Sequence, residues 1–395
     1  MAQFLLMPLK VPPRYDVVEP LAQWLDGDSQ VEFGGIHNHN HSSSDDMQWV
    51  VPKPDFTSVD CRSDLKRLAA LRNCLSDALQ DSHKAALEEN ALRDCYDYHA
   101  TLLEFQKRGF PSVDDDANGV VLCWKGAFAT SQKETHHTLV WDRACTLWNT
   151  AALLSSMIQT NYPKLDTKET CKLVVGQCQT ASTILSTLLQ MVESEQQYAT
   201  ADLCPPMIHY WEQLFLAQGQ VGIYKLANLG TSTVRNHSTL AYLAKAASNL
   251  YNDALAWAQD TRLQSEVPKQ SQEWGTHCKA NSMIYFAKAE FHVALHHQQS
   301  KEWGMELARL AECLKKVNEL TRFCTTAGLV FPQAQGLATL ANDRYARALE
   351  DNRQIYQESV PTNVTDIRAQ QLVKAKTPLP EPLLVPTVTL FSNIK

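Results

Sequence analysis

The chain has 395 residues, 44% of them hydrophobic and 20% charged, with only 14 glycines, a composition that supports a buried core and excludes a disordered polymer. Its formal charge of −7 argues against a nucleic-acid partner, because duplex affinity comes from clustered Lys and Arg that displace counterions. Length alone admits about two or three average domains or one elongated helical unit.

The amino terminus, MAQFLLMPLKVPPRYD, carries Pro8, Pro12 and Pro13 among short apolar runs, so it reads as extended edge structure. It lacks a basic leader and a small-residue cleavage site, so no signal peptide is expected. Residues 34–60 begin with GGIHNHNHSSSDDMQ and read as a flexible polar insertion. His37, His39 and His41 alternate there, which could gather imidazoles on one side of a strand. No cysteine or carboxylate completes a ligand set, so no metal site is assigned.

From about residue 60 the pattern is helical. CRSDLKRLAALRNCLSDAL and SHKAALEENALRDCYDYHATLLEFQKRG come first, and GVVLCW at 119–124 reads as a short strand that could form a small sheet with the amino-terminal segment. Long helical patterns then begin near residues 134, 165, 201, 236, 271, 301 and 335. Helices of ~28 residues would be ~42 Å long, and short connections force neighbours to run antiparallel. The expected product is a solenoid of helical hairpins with tetratricopeptide-like character and a small amino-terminal β-sheet. We expect one domain over residues 1–386 and a tail over 387–395. The proline-rich TPLPEPLLVP (377–386) should run extended along the helical body.

VWDRACTLWNTAALLSS (140–156) has no charge after Arg143. Val140, Ala144, Leu147, Trp148, Ala151, Leu154, Ser155 and Ile158 form one wide apolar stripe, the mark of a core helix. Asn149 beside it needs a partner across a helix interface.

Catalytic chemistry finds little support. The eleven cysteines are scattered with no C-x-x-C pair, as in a reduced cytosolic protein. Cys95 and His99 lie four apart, but nothing orients the imidazole, so Cys95 reads as a core thiol. Asp114, Asp115 and Asp116 resemble the magnesium cluster of a helical prenyl-diphosphate enzyme. A second cluster on a facing helix is missing, so a solvated turn is the simpler reading. No phosphate-binding glycine loop or nucleophile elbow occurs. Catalytic residues, metals and cofactors are therefore assigned as none. No window reaches the ~18 to 20 apolar residues of a membrane span.

Four stretches carry a resemblance: DRACTLWNTAALLSS, KEWGMELARLAECL (301–314), DNRQIYQESVP (351–361) and LVKAKTPLP (372–380). In order and spacing they are similar to segments of the Bro-one domain of ALIX-type endosomal sorting adaptors, most strongly over residues 120–386. The resemblance implies a boomerang-shaped, mainly α fold without enzymatic activity, here as the helical domain only. It implies an adaptor, cytoplasmic and peripheral to endosomal membranes, monomeric, that binds the C-terminal amphipathic helix of an ESCRT-III (Snf-seven-type, charged multivesicular body) subunit in multivesicular body formation. Carried over residue by residue, the groove falls on Ile223 and Tyr224, on Thr239, Leu240 and Leu243, and on Leu372, with an acidic contact at Asp166 or Glu169. Ile223 stands where the family has an aromatic, and Thr239 where it has an apolar residue. A scaffold role in ambient-pH signalling, taken by some family members, is the alternative. Lys164, Lys168 and Lys172, on one face of a helix, could also touch an acidic membrane.

Overall fold

The computed structural model describes residues 7–13, 18, 21, 59–80, 89–107, 121–128, 133–195, 200–230, 236–376 and 378–388. The run of His37, His39 and His41, nearly all of the expected 34–60 insertion, and Asp114 to Asp116 lie outside them.

The first helices given over their full length among the described residues are α1 (Val59–Gln80) and α2 (Glu89–Lys107). A hairpin follows, β1 (Leu122–Lys125) and β2 (Lys133–His136), antiparallel with Leu122 opposite His136 and Trp124 opposite Glu134. The long helices are then α3 (Leu139–Asn161), α4 (Lys168–Glu195), α5 (Pro205–Asn228), α6 (His237–Ala258), a short α7 (Thr261–Glu266), α8 (Pro268–Gln299), α9 (Trp303–Thr326) and α10 (Pro332–Asp351). The last of these runs into a π-helical turn over Asn352–Tyr356.

Local chemistry sets these boundaries. Pro205, Pro268 and Pro332 stand at the starts of α5, α8 and α10, where a missing N–H costs nothing and the fixed φ suits a first turn. Thr138, Asn236 and Asp260 cap α3, α6 and α7 by accepting from the amides of Val140, Thr239 and Arg262. One boundary differs from the sequence expectation. The stretch near residue 134 is a strand, and it, not the amino-terminal segment, pairs with β1. The amino-terminal segment joins β1 through a single bond, Lys125 N–H to Val11 C=O at 3.0 Å, because its prolines remove ladder donors.

Each long helix packs on its neighbours in sequence, giving an antiparallel stack. The stripe of α3 is buried, with Trp141 and Trp148 fully enclosed. Asn149 is also buried, but its amide pairs with backbone and not with another helix. It accepts from Lys10 N at 2.7 Å and donates to Lys10 C=O at 2.9 Å, holding the amino-terminal segment as a sheet neighbour would. The Lys10 ammonium enters the core to meet Asp202 at 2.6 Å. Burial works against the ionised Asp202, yet Lys10, Thr200 and the Ala127 amide hold its carboxyl below the usual range. A second buried acid, Asp142, collects Arg72 at 3.2 Å, the Trp124 indole at 2.5 Å and the Tyr98 hydroxyl. Further along, Trp274 of α8 stacks on Tyr210 at 4.8 Å and meets Trp211 and Phe128 edge-on.

The carboxyl-terminal residues thread back across this stack. Arg309 of α9, paired with Glu290, donates to Thr365 C=O at 2.7 Å. Lys245 of α6 binds Asp366 at 2.8 Å, and Gln370 N–H reaches Tyr242 C=O at 3.0 Å. Thr183 of α4 then accepts from Lys376 N at 2.6 Å. Finally Leu383 is buried beside α2, where its carbonyl lies 2.8 Å from His99 Nδ1. Residues 365–376 thus form a strap crossing α9, α6, α5 and α4, and the run expected to be extended over 377–386 continues it to α2 but turns into a short 3-10 helix at Glu381–Leu383.

Candidate partner-binding groove

The expected groove centres on two glycines in the interior of α5. A Cβ on Gly222 would stand 2.8 Å from Val175 Cγ2 of α4, and one on Gly219 would stand 3.1 Å from both Cys178 Cβ and Val373 Cγ1. Small residues here let α4, α5 and the strap approach closely. Gln220, fully buried, fixes the strap at the same level. Its Oε1 accepts from Leu372 N at 3.0 Å and Val373 N at 3.3 Å, while its Nε2 donates to Gln370 C=O at 2.9 Å and Leu243 C=O at 3.3 Å. Val373 is thereby driven inward and Leu372 outward, the latter left 49% exposed. Ile223, one turn beyond Gly219, is half-buried on the same side of α5.

The remaining expected residues divide by burial. Thr239, in the first turn of α6, is half-buried. Leu240, Leu243 and Tyr224 are core residues, with Leu243 only 1% exposed. Being enclosed, they offer no exposed side-chain surface to a partner, which departs from the expected groove. A charge at Leu243 would therefore unfold the helix pair before it reported on binding. Tyr224 is buried because its ring meets Tyr285 edge-on and its hydroxyl lies 2.9 Å from His292 Nε2. Asp166 and Glu169 are both exposed at the start of α4, so they stand clear of the buried seam. Leu173, one turn after Glu169 and 50% exposed, extends the apolar surface. Sequence reasoning did not single out Leu173, Gln220 or Val373. The signal for Gln220 was present in LAQGQVGIYK, where paired glycines inside a helical pattern mark a close backbone approach.

Other sequence candidates resolve into structure. Cys95 is fully buried, and burial pushes its thiol far above the usual range. His99 is held near 3 by burial and by Arg143, so it stays neutral and faces the Leu383 carbonyl. Lys164, Lys168 and Lys172 are all exposed. A separate cavity of ≈ 440 Å³, lined by Leu255, Gln259, Gly275, Thr276, Lys279 and Phe323 among others, includes none of the groove residues. Among the described residues no group of three or more His, Cys, Asp or Glu is placed to hold a metal, and no helix is long and apolar enough to cross a membrane.

The motifs that carried the resemblance are joints of the stack. Trp303 stacks on Tyr356 at 4.0 Å, and Gly304 is required because a Cβ there would lie 2.2 Å from the Ser359 carbonyl oxygen. Glu306 binds Arg344 at 2.6 Å, and Asn352 and Glu358 exchange two bonds at 3.0 and 3.1 Å.

The chain is similar to "Programmed cell death 6-interacting protein" of Xenopus laevis, 26% identical over 405 residues that cover 100% of this chain and 41% of the relative. It is also similar to "pH-response regulator protein RIM20" of Yarrowia lipolytica, 30% identical over 174 residues, 42% of this chain and 21% of that protein. The chain thus spans about two-fifths or less of these relatives. Among solved structures, the one titled "ALIX BRO1 CHMP4C complex" superposes with a TM-score of 0.74 at 21% identity, covering 99% of each chain. That likeness gives the fold, a boomerang-shaped helical domain. Residues 55–394 match the family profile described as "BRO1-like domain", and with the stack, the strap and their joints in place, the chain belongs to that family.

Proposed function

We propose that this chain is a non-catalytic adaptor whose furrow, walled by Ile223 and Thr239 on the helices and by Leu372 on the strap, receives the C-terminal amphipathic helix of an ESCRT-III subunit of CHMP4 type. The observation that carries this reading is Leu372: an apolar side chain turned outward by a buried Gln220 clamp on α5, the helix that also holds half-buried Ile223. Such a surface suits an amphipathic helix, which places apolar residues at i, i+3 and i+4 into a groove. The structural neighbour in complex with CHMP4C supports the choice of partner. With few exposed anchors, each worth about 1.5 to 3 kcal/mol before ordering costs, affinity falls in the range of about 1 to 100 μM. Binding of this strength suits reversible assembly at endosomal membranes. Isothermal calorimetry with a C-terminal CHMP4C peptide should give saturable binding, weakened at least ~10-fold by Leu372→Asp or Thr239→Asp with unchanged circular dichroism. Wild-type affinity in both variants would sink the reading.

The relatives named pH-response regulators favour a second role, a scaffold in ambient-pH signalling. The two roles separate in cells, since only the signalling scaffold should be lost without disturbing multivesicular body formation.

A further inference from the structure

Lys288, in the middle of α8, is a half-buried cation with no carboxylate partner. Its ammonium makes one hydrogen bond, to Gln333 Oε1 of α10 at 3.1 Å, and lies 4.4 Å from the Tyr285 ring centroid and 5.9 Å from that of Tyr224. By contrast, Lys10, Arg72 and Arg309 each meet a buried carboxylate, at 2.6, 3.2 and 3.1 Å. Burial, with Lys225 repelling it, lowers the Lys288 amine to about 7.

The groups that face it carry no negative charge. Tyr224 and Lys225 face it from α5, and Tyr285 and His292 from α8 itself. His237 approaches from the first turn of α6, and Gln333 from α10. The Tyr224 hydroxyl lies 2.9 Å from His292 Nε2, and His292 Nδ1 lies 3.1 Å from His237 Nδ1. The α6 amino terminus adds the positive end of its dipole. An ammonium with two N–H groups unmet, in a site that offers no negative charge, is completed by an anion. Lys288 and Lys225 are point charges with no arginine fork beside them, an arrangement that lacks the bidentate grip of a phosphate site and suits a carboxylate.

We propose that Lys288, with Tyr224, His292 and Lys225 around it, seats one Asp or Glu side chain of the amphipathic segment that docks in the furrow, where Ile223 and Thr239 adjoin Tyr224 and His237. This rests on the docking reading above. A seated carboxylate stabilises the ammonium, so binding takes up a proton above neutral pH. Affinity should then fall as pH rises from 7 to 9.

The test separates the two readings. NMR of the full chain with ¹³Cε-lysine, the Lys288 signal assigned by Lys288→Arg, follows its titration at constant ionic strength in chloride, acetate and inorganic phosphate. Acetate should raise the Lys288 pKa from about 7 to about 8 or above, equally in Leu372→Asp. Lys288→Met should weaken the CHMP4C peptide about 5- to 20-fold, and leave unchanged a peptide whose acidic residues are amides. It should melt no lower than wild type, since it removes an unpaired cation. A Lys288 titration indifferent to acetate overturns the proposal, as does a stronger response to phosphate or equal peptide binding by Lys288→Met. A shift with acetate but no peptide binding sinks the docking reading and leaves a carboxylate site.

Discussion

Single side chains in this protein are tuned mainly by burial. His99 illustrates the consequence for pH. Burial, with Arg143 adding repulsion, holds its folded pKa near 3, whereas an unfolded histidine titrates near 6.5. The unfolded chain therefore binds a proton first as pH falls, and stability is lost from about pH 6.5 down to about 3. The slope is about 1.4 kcal/mol per pH unit for this one group. His277, lowered to about 4 by burial, adds to the same window. Urea unfolding at pH 7 and pH 5 should show the loss, and His99→Gln should reduce the difference by roughly half. An unchanged pH dependence in that variant would mean that His99 is not the titrating group.

At the scale of elements, the strap depends on one glutamine. Gln220 makes four bonds to backbone, two of them to the amides of Leu372 and Val373. Gln220→Leu keeps the volume but strips those amides and the Gln370 carbonyl of their partner, a loss of about 1 to 3 kcal/mol. Hydrogen exchange at the Leu372 and Val373 amides should accelerate about 10- to 100-fold while the α5 and α6 amides stay protected. If exchange there is unaltered, other contacts hold the strap, and Leu372 is oriented by something else.

On the scale of the molecule, the tail changes how the stack unfolds. A simple helical solenoid is a chain of nearest-neighbour interfaces, able to fray from either end. Here the strap spans five helices and ends with Leu383 buried against α2, where Thr387 N–H also reaches Asp97 Oδ1 at 2.7 Å. That closure ties the last residues to the first helices. Leu383→Ala should cost about 2 to 5 kcal/mol, and calorimetry should show the single wild-type transition broadening or splitting as α1 and α2 uncouple. A simple shift to lower temperature with unchanged cooperativity would refute the closure.

Local sequence by itself determined the helices, because proline starts, polar caps and 3.6-residue stripes are properties of neighbouring residues. It also held the family, through Gly304, Asn352 and their companions, whose spacing records joints where a Cβ would clash with the Ser359 carbonyl and where a side-chain amide bonds the Glu358 backbone. The strand partner of β1 was beyond it, since KETH carries no alternating apolar pattern and pairs through backbone. The expected groove was legible only in outline. Leu240 and Leu243 lie on one face of α6 by periodicity, but whether that face meets solvent or another helix is set by α5 and the strap, more than a hundred residues away. Tertiary packing alone decided that Leu243 is enclosed, that Leu372 points outward, and that Lys288 lacks a counterion, because burial and charge balance are sums over neighbours distant in the chain.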